Sequence, residues 1–263
     1  MTTALIDGDL VCYRSAASAE KDEENIALIR ANRTLQDIVS VTDASDVKLF
    51  LSGTANFRYG LYPEYKANRK DMVRPRHLEL VREFLVTKWT CSVTDGIEAD
   101  DALGIAHQAA PGSVLVSIDK DLLQLPGHHY DFVKLIWREI DELQGLRNFY
   151  TQLIEGDASD NIPAWDGKLR TSRPKFVQKL IDPLYETEDE KDMYCYVESL
   201  YGNKQLEQML LNAQLLYIHK KEGDRWNPPI MMDNGVQEDS KTLFDQLSAV
   251  PRNAGLQNTS VLP

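Results

Sequence analysis

An α/β fold, with a mostly parallel sheet followed by a helical half, is what this sequence predicts. Three observations carry it. Short apolar runs that read as buried strands alternate with helical spacing over about the first 140 residues. Two of these runs stop at clustered aspartates. Everything after about Gly145 has helical character, with no convincing strand, no internal repeat and no low-complexity tract.

Taken in order, Ala4-Leu5-Ile6 reads as a first buried strand ending at Asp7-Gly8-Asp9, and a helix with Ile26, Ile29, Leu35 and Ile38 on one side follows to about Ser40. Val47 to Leu51 is a second strand, closed by Ser52-Gly53, which makes a βαβ start. Pro75 can open a helix through Leu78, Val81 and Leu85, and Thr90 to Val93 is short and strand-like. A helix from near Glu98 ends at Pro111-Gly112. Val114 to Ile118 is the clearest strand, apolar and β-branched, stopped by Asp119-Lys120-Asp121. A further short strand is expected around Phe132 to Ile136, and the last 20 or so residues are expected to form a loosely held tail.

Composition narrows the class. The chain has 263 residues, 43% of them apolar and 27% charged, which suits one large globular domain or a domain with an appended subdomain. No apolar run approaches the roughly 18 residues that would span a bilayer, and the N-terminus reaches Asp7 and Asp9 at once, so no signal peptide is expected and the protein is read as soluble and cytoplasmic, with no membrane partner. Cys12, Cys91 and Cys195 are far apart and odd in number, which argues against a disulfide framework or a zinc site. The net charge of −12 argues against coating nucleic acid by bulk electrostatics. Its distribution says something different. Arg58 to Lys88 and Ala164 to Leu180 each carry a local charge of +4.

The acidic residues fall where chemistry is done. Asp7, Asp119 and Asp121 lie at the carboxyl ends of buried strands, where open parallel sheets place their ligand crevice. Glu98, Asp100 and Asp101 open a helix, and Asp157 and Asp160 come from a turn between helices. Each group taken alone has an ordinary structural reading as a helix cap or strand-end turn. Together, like charges packed this closely repel unless something positive sits between them. Hard divalent cations meet that need: Mg²⁺ takes oxygen ligands and keeps several waters. Setting aside these eight residues and Asp9 changes the formal charge from −12 to −3, so the site accounts for most of the acidity. Two such ions can activate a water and stabilise the attacking and leaving oxygens of a phosphodiester.

The stretches LIDGDLVCYR (5 to 14), FRYGLYPEYKANRK (57 to 70), GIEADD (96 to 101), SIDKD (117 to 121) and GDASDNIP (156 to 163) resemble, in order, the bacteriophage 5′→3′ exonucleases of the flap endonuclease superfamily. That group includes the 5′-nuclease domains of bacterial DNA polymerases, and the resemblance covers roughly the first 165 residues. It implies a PIN-like central sheet flanked by helices over residues 1–145, with a helical arch over the active site at about 58–88. It also implies a helical C-terminal DNA-binding region over 146–263, with a helix-turn-helix-like segment at about 156–181. By resemblance, Asp7, Glu98 and Asp100 hold a first metal, Asp119, Asp121 and Asp157 a second, and Asp101 and Asp160 match further carboxylates of the site. Lys66 and Arg69 match residues on a helix that contact the scissile phosphate, and helical spacing would put Lys66, Arg69 and Lys70 on one face. The implied activity is a metal-dependent 5′ nuclease with two Mg²⁺ ions, for which Mn²⁺ can substitute. The implied partner is DNA with a 5′ end or 5′ flap, with RNA–DNA hybrid a further substrate, and the protein is read as a monomer.

Arg14, Arg58 and Lys70 are expected to hold the strand, Lys168, Arg170, Arg173 and Lys175 the duplex behind it, and Tyr65 to touch DNA. Two departures from the family pattern stand out. The aspartate usual between the second strand and the FR pair is missing from Leu51-Ser52-Gly53-Thr54-Ala55-Asn56, so weaker first-site metal binding is expected, with either Asp9 or a further water on the ion in its place. The glycine-containing turn usual after GDASDNIP is reduced to Gly167. The rival readings are a haloacid-dehalogenase-like phosphatase with Asp7 as nucleophile and Asp9 as acid/base, a DNA-binding protein that has lost catalysis, and a ribonuclease of the PIN class.

Overall fold

The computed structural model describes residues 2–229. The expected tail lies outside the described residues. Six strands form one sheet in the order β3-β2-β1-β4-β5-β6. They are β1 (Thr3–Asp7), β2 (Asp46–Leu51), β3 (Cys91–Val93), β4 (Val114–Val116), β5 (Gly127–Asp131) and β6 (Ile136–Ile140). All neighbours are parallel except β5 and β6, which form an antiparallel hairpin at one edge. The order runs outward from β1 in both directions, so the crevice at the carboxyl ends of β1 and β4 is the switch point of the sheet.

The helices before the hairpin are α1 (Gly8–Ser18), α2 (Glu24–Thr42), the single-turn α3 (Arg58–Leu61), α4 (Leu78–Lys88) and α5 (Ala99–Ala109). After it come α6 (Glu142–Glu155), α7 (Lys175–Glu186), α8 (Glu190–Tyr201) and α9 (Leu206–Leu216). One core packs α1, α2 and α4 on a sheet face through Val11, Leu35, Ile38, Leu49, Val81 and Leu85. A second packs α5 on the other face through Leu5, Leu103 and Leu115. The third is the helical core of α6 to α9, and it takes in Tyr65 from the sheet half.

Several expectations need correction. The helix α1 starts directly at the end of β1, in a stretch that sequence periodicity left unassigned, because its inward side is made of small residues (Gly8, Cys12, Ser15, Ala16) around a single Val11. The buried stripe of α2 is Ala27, Ala31, Leu35 and Ile38, whereas Ile29 is 58% exposed. Phe132 to Leu135 is the turn of the hairpin, and strands lie on either side of it. The segment from 58 to 88 is not one helical arch: between α3 and α4 it holds only a 3-10 turn, Ala67–Arg69, with Lys66 in left-handed backbone at φ 55°. Lys66, Arg69 and Lys70 therefore do not share an α-helical face. After β6, the β pairing among the described residues is the single bridge between Asp157 and Ile162. That bridge closes the acidic turn beyond α6. Gly156 makes it possible, since at φ 67° a Cβ there would lie 2.5 Å from Ala164 N and Ile162 O.

Candidate active site

Strand ends and helix starts bring the carboxylates together. Asp7 ends β1 and caps α1, accepting the Leu10 N–H at 3.1 Å. Its other oxygen accepts the Ser117 hydroxyl at 2.9 Å, and the same Ser117 Oγ accepts the Asp119 N–H at 3.0 Å. Ser117 thus ties the ends of β1 and the β4 loop together. Asp121 starts a 3-10 turn, Asp121–Gln124, and its N–H donates to Asp119 Oδ1 at 2.9 Å. Asp100 sits in the first turn of α5, and its carboxylate accepts no hydrogen bond from the described residues. In the bridged turn after α6, Asp157 accepts Ser159 N–H at 2.7 Å and Ser159 Oγ–H at 2.6 Å.

Burial and mutual repulsion set the electrostatics. The Asp7 carboxyl is pushed up to about 7 by burial, with Asp9 and Asp119 adding repulsion against its hydrogen bonds. Asp100 is raised well above the carboxylate range by burial and by the charges of Asp7, Asp119 and Glu98. Asp121 is raised likewise, by burial and then by Asp119 and Asp157. The repulsions sort the carboxylates into Asp7, Glu98 and Asp100 on one side and Asp119, Asp121, Asp157 and Asp160 on the other, with Asp119 felt by both.

Among the described residues, no three carboxylates or imidazoles form a closed cage for one ion. The donor set nonetheless fits a hard dication: every candidate ligand is a carboxylate oxygen, the buried negative charge at Asp7, Asp100 and Asp121 is only partly offset, with Lys66 acting on Asp100 and Lys120 on Asp121 without cancelling burial and repulsion, and such an ion commonly takes only one or two direct carboxylates.

A basic strap crosses this well. Tyr65, 2% exposed, donates its hydroxyl to Glu98 and Asp160, each at 2.9 Å. Lys66 Nζ pairs with Glu98 and lies 3.5 Å from Asp160, and Arg69 pairs with Asp160. Burial works against the Lys66 charge, but Glu98 and Asp160 overrule it and hold the ammonium form. Lys66, Arg69, Lys70, Arg74 and Arg82 line one side of a cavity of about 940 Å³ that opens beside Glu98.

Four expected site residues are placed differently. Asp101 is fully buried and its carboxylate is taken by Arg58, with further bonds from Glu98 N–H at 3.1 Å and His219 N–H at 3.2 Å. It has no free oxygen facing the well. Arg58 is 3% exposed, its guanidinium spent on Asp101 and on the Leu215 and Tyr217 carbonyls, so it presents nothing to a strand. Tyr65 is equally unavailable for stacking on a base. Asp9 does not stand in for the missing aspartate: it pairs with Arg82 at 2.5 Å and accepts Ser52 N–H at 2.8 Å.

The remaining basic positions are at the surface. Arg14 is exposed on α1 beside a groove between α1, α2 and the β5–β6 hairpin. Lys168 and Arg170 pair with Asp166, and Arg173 with Glu155, while Lys175 opens α7. Arg170, Thr171, Ser172 and Arg173 face Lys120 and Ser159 across a groove of about 530 Å³. Sequence reasoning missed the roles of Ser117, Arg82, Gln124 and Gln152, which contact the carboxylates or the groups behind them; Ser117 opens the SIDKD motif and Arg82 lies in the basic stretch from 58 to 88, whereas Gln124 and Gln152 lie in no charged motif.

Comparison with known proteins gives the family of the chain. The family model described as 5′-3′ exonuclease, N-terminal resolvase-like domain, matches residues 2–153. The chain belongs to that 5′-3′ exonuclease family. A 5′-3′ exonuclease of Buchnera aphidicola (subsp. Schizaphis graminum) is 31% identical over 183 residues, 60% of this chain and 63% of that protein. A DNA polymerase I of Rhizobium leguminosarum is 35% identical over 149 residues, 49% of this chain but only 14% of the polymerase. The chain thus spans under two thirds of these relatives. The fold extends further than the family model. A bacteriophage T5 5′-exonuclease with bound zinc superposes with a TM-score of 0.64 over 94% of this chain and 97% of that one, at 17% identity. A bacteriophage T5 flap endonuclease in complex with DNA and metal ions gives 0.63 over 95% and 99%, at 16%. The helical half after Gly145 is therefore part of the shared fold. Membership in this family leaves no place for the phosphatase reading.

Proposed function

We propose that the chain is a divalent-metal-dependent 5′ nuclease that hydrolyses DNA phosphodiesters from 5′ ends, as an exonuclease, a 5′-flap endonuclease or both. The observation that carries this reading is the well of buried, mutually repelling carboxylates around Asp7, Asp100 and Asp121 with the Lys66–Arg69 strap across it. Asp7, Glu98 and Asp100 are the candidate ligands of one ion, and Asp119, Asp121 and Asp157 of the other, with Asp160 beside them and Asp101 left as their structural support. Two ions, Mg²⁺ or Mn²⁺, would supply Lewis-acid activation of water and neutralise charge at the phosphate.

The protein's own groups do the rest. Ser117 holds Asp7 and Asp119 in register, so two strand ends act as one rigid platform. Lys66 and Arg69 are the only cations of the strap in contact with site carboxylates among the described residues. An entering phosphate would compete for them, and their charge then falls on the scissile group. Lys70, with Arg74 and Arg82 in the same cavity, guides the strand, while Arg14 and the groove of Lys168, Arg170, Arg173 and Lys175 bear on the duplex. The family relatives and the T5 structures support DNA as substrate. An RNA–DNA hybrid is a further candidate, and the protein is taken to act as a cytoplasmic monomer.

The test is cleavage of a 5′-labelled duplex and a 5′-flap substrate with Mg²⁺ and with EDTA, using the native chain and an Asp119→Ala/Asp121→Ala double variant. Metal-dependent release from the 5′ end, lost in the variant, is expected. Retained DNA binding with no cleavage in Mg²⁺ or Mn²⁺ would overturn the reading in favour of a DNA-binding protein.

A further inference from the structure

Behind Asp121 lies a chain of buried amides. Gln152 of α6 donates its Nε2–H to Asp121 Oδ1 at 2.5 Å. Gln124, at the end of the 3-10 turn that Asp121 begins, donates to Gln152 Oε1 at 2.5 Å and to the Leu216 carbonyl at 2.8 Å. Its own Oε1 faces the Ile218 N–H at 3.4 Å. The polarity is unambiguous. A backbone carbonyl can only accept and a backbone N–H can only donate, so Leu216 and Ile218 orient the Gln124 amide, and Gln124 in turn orients Gln152. Both glutamines are 5% exposed. Burying two neutral amides costs desolvation that leucines would avoid, so the arrangement calls for a reason beyond packing.

The turn carrying Asp121 is gripped from the same helix elsewhere. Asn148 Nδ2–H donates to the Leu123 carbonyl at 2.6 Å, and a Cβ at Gly145 would lie 2.6 Å from the Gln124 carbonyl oxygen. Helix α6 is therefore seated directly on the turn, and from it the Gln152 side chain reaches the Asp121 carboxylate.

We infer that Gln152 is a positioning residue for Asp121, and that Gln124 sets the orientation of Gln152, so that the helical half fixes a ligand of the second metal site. This rests on the reading of Asp121 as a metal ligand. Groups that hydrogen-bond ligating carboxylates typically change metal affinity or activity by about 10–100-fold when removed.

The test uses the full chain with Gln152→Met, which keeps the volume and removes the donor, and Gln152→His, which keeps one donor and one acceptor. Mn²⁺ binding to the metal-free protein is followed by electron paramagnetic resonance, and steady-state cleavage by native and variant is measured over a range of DNA concentrations. Gln152→Met should bind Mn²⁺ about tenfold more weakly and lose kcat with an unchanged KM for DNA, and Gln152→His should recover part of both. Mn²⁺ affinity within about twofold of native in a cooperatively folded Gln152→Met overturns the inference. If that variant does not melt cooperatively, Gln124→Met decides instead: weakened Mn²⁺ binding supports the relay, and native binding overturns it. A native chain that binds Mn²⁺ but cuts no DNA overturns the nuclease reading alone, because the Mn²⁺ comparison still decides the role of Gln152.

Discussion

Arg58 and Asp101 form a two-pronged ion pair, 2.6 Å from Nη1 to Oδ2 and 2.9 Å from Nη2 to Oδ1, with almost no exposure on either side. Burial alone would raise the Asp101 carboxyl, but the Arg58 guanidinium overrules it and holds it below the usual range. The pair joins α3 to α5, and Arg58 also reaches the Leu215 carbonyl in the last turn of α9 and the Tyr217 carbonyl just after it. Removing one partner strands a buried charge, which typically costs about 3–5 kcal/mol. Arg58→Met should lose stability on that scale in urea unfolding. A change under about 1 kcal/mol would mean that the pair is not structural.

A metal-free site should respond to pH with a definite sign. Asp7 titrates near 7 in the folded chain, and Asp100 and Asp121 are also raised, whereas the unfolded chain titrates near 3.8. Between these values the folded state binds more protons, so the carboxylates' contribution to stability is full at low pH and is lost as pH rises toward 7. His129, lowered to about 4 by burial, works in the opposite direction and loses stability as pH falls from 6.5. Divalent ion acts on the first effect only. The rise in Tm caused by Mg²⁺ or Mn²⁺ should therefore be small near pH 4.5 and grow as pH rises through 7. A pH-independent shift would count against a buried carboxylate site.

Asp100 is the carboxylate with the least support, having no hydrogen bond and several like charges around it. Asp100→Asn should raise the Tm of the metal-free protein while reducing the stabilisation by divalent ion and the cleavage rate, the usual opposition of stability and function at such sites. Thermal scans with EDTA and with Mn²⁺ check it, and a lowered metal-free Tm would contradict it.

What was legible in the sequence follows from local physics. Strands β1 and β4 are apolar runs cut off by aspartates, so both the elements and the crevice could be read from their ends. The grouping of carboxylates was readable because each group sits on a short motif. The partners of those carboxylates were not. The choice of Arg58 for Asp101, and of Arg82 for Asp9, depends on contacts 43 and 73 residues apart, which no local spacing encodes. The strap was misread for a related reason. YKANRK has the spacing of a helix, but Lys66 takes left-handed backbone where its N–H meets the Asp160 carbonyl at 2.9 Å, so tertiary contact overrides local preference.

Lys66 supplies the strap's most buried positive charge. On the proposed reading its work is at the phosphate, where losing one such group typically costs about 10²–10³ in kcat. Lys66→Met should fall in that range in single-turnover cleavage with enzyme in saturating excess over DNA, while still binding Mn²⁺. A rate within threefold of native would remove Lys66 from the chemistry.

Ser52 occupies the stretch where the family pattern has an aspartate. Its Oγ accepts the Ala99 N–H at 3.0 Å, so it caps the helix that presents Glu98 and Asp100. Its carbonyl takes Arg82 at 2.7 Å, and Arg82 in turn holds Asp9; on the proposed reading the first metal then has one oxygen ligand fewer than the family pattern offers. An aspartate at this position keeps an acceptor for Ala99 and adds a carboxylate beside Glu98 and Asp100. Ser52→Asp should therefore tighten the weaker of two divalent binding events by about tenfold, since a hard cation gains from each added anionic oxygen it can reach. Isothermal titration with Mn²⁺ reads it directly. Unchanged affinity would mean that the Asp9–Arg82 pair, with its fixed positive charge beside Ser52, shuts this side of the well to a further ligand, and Arg82→Met combined with Ser52→Asp would then be the variant in which the tightening appears.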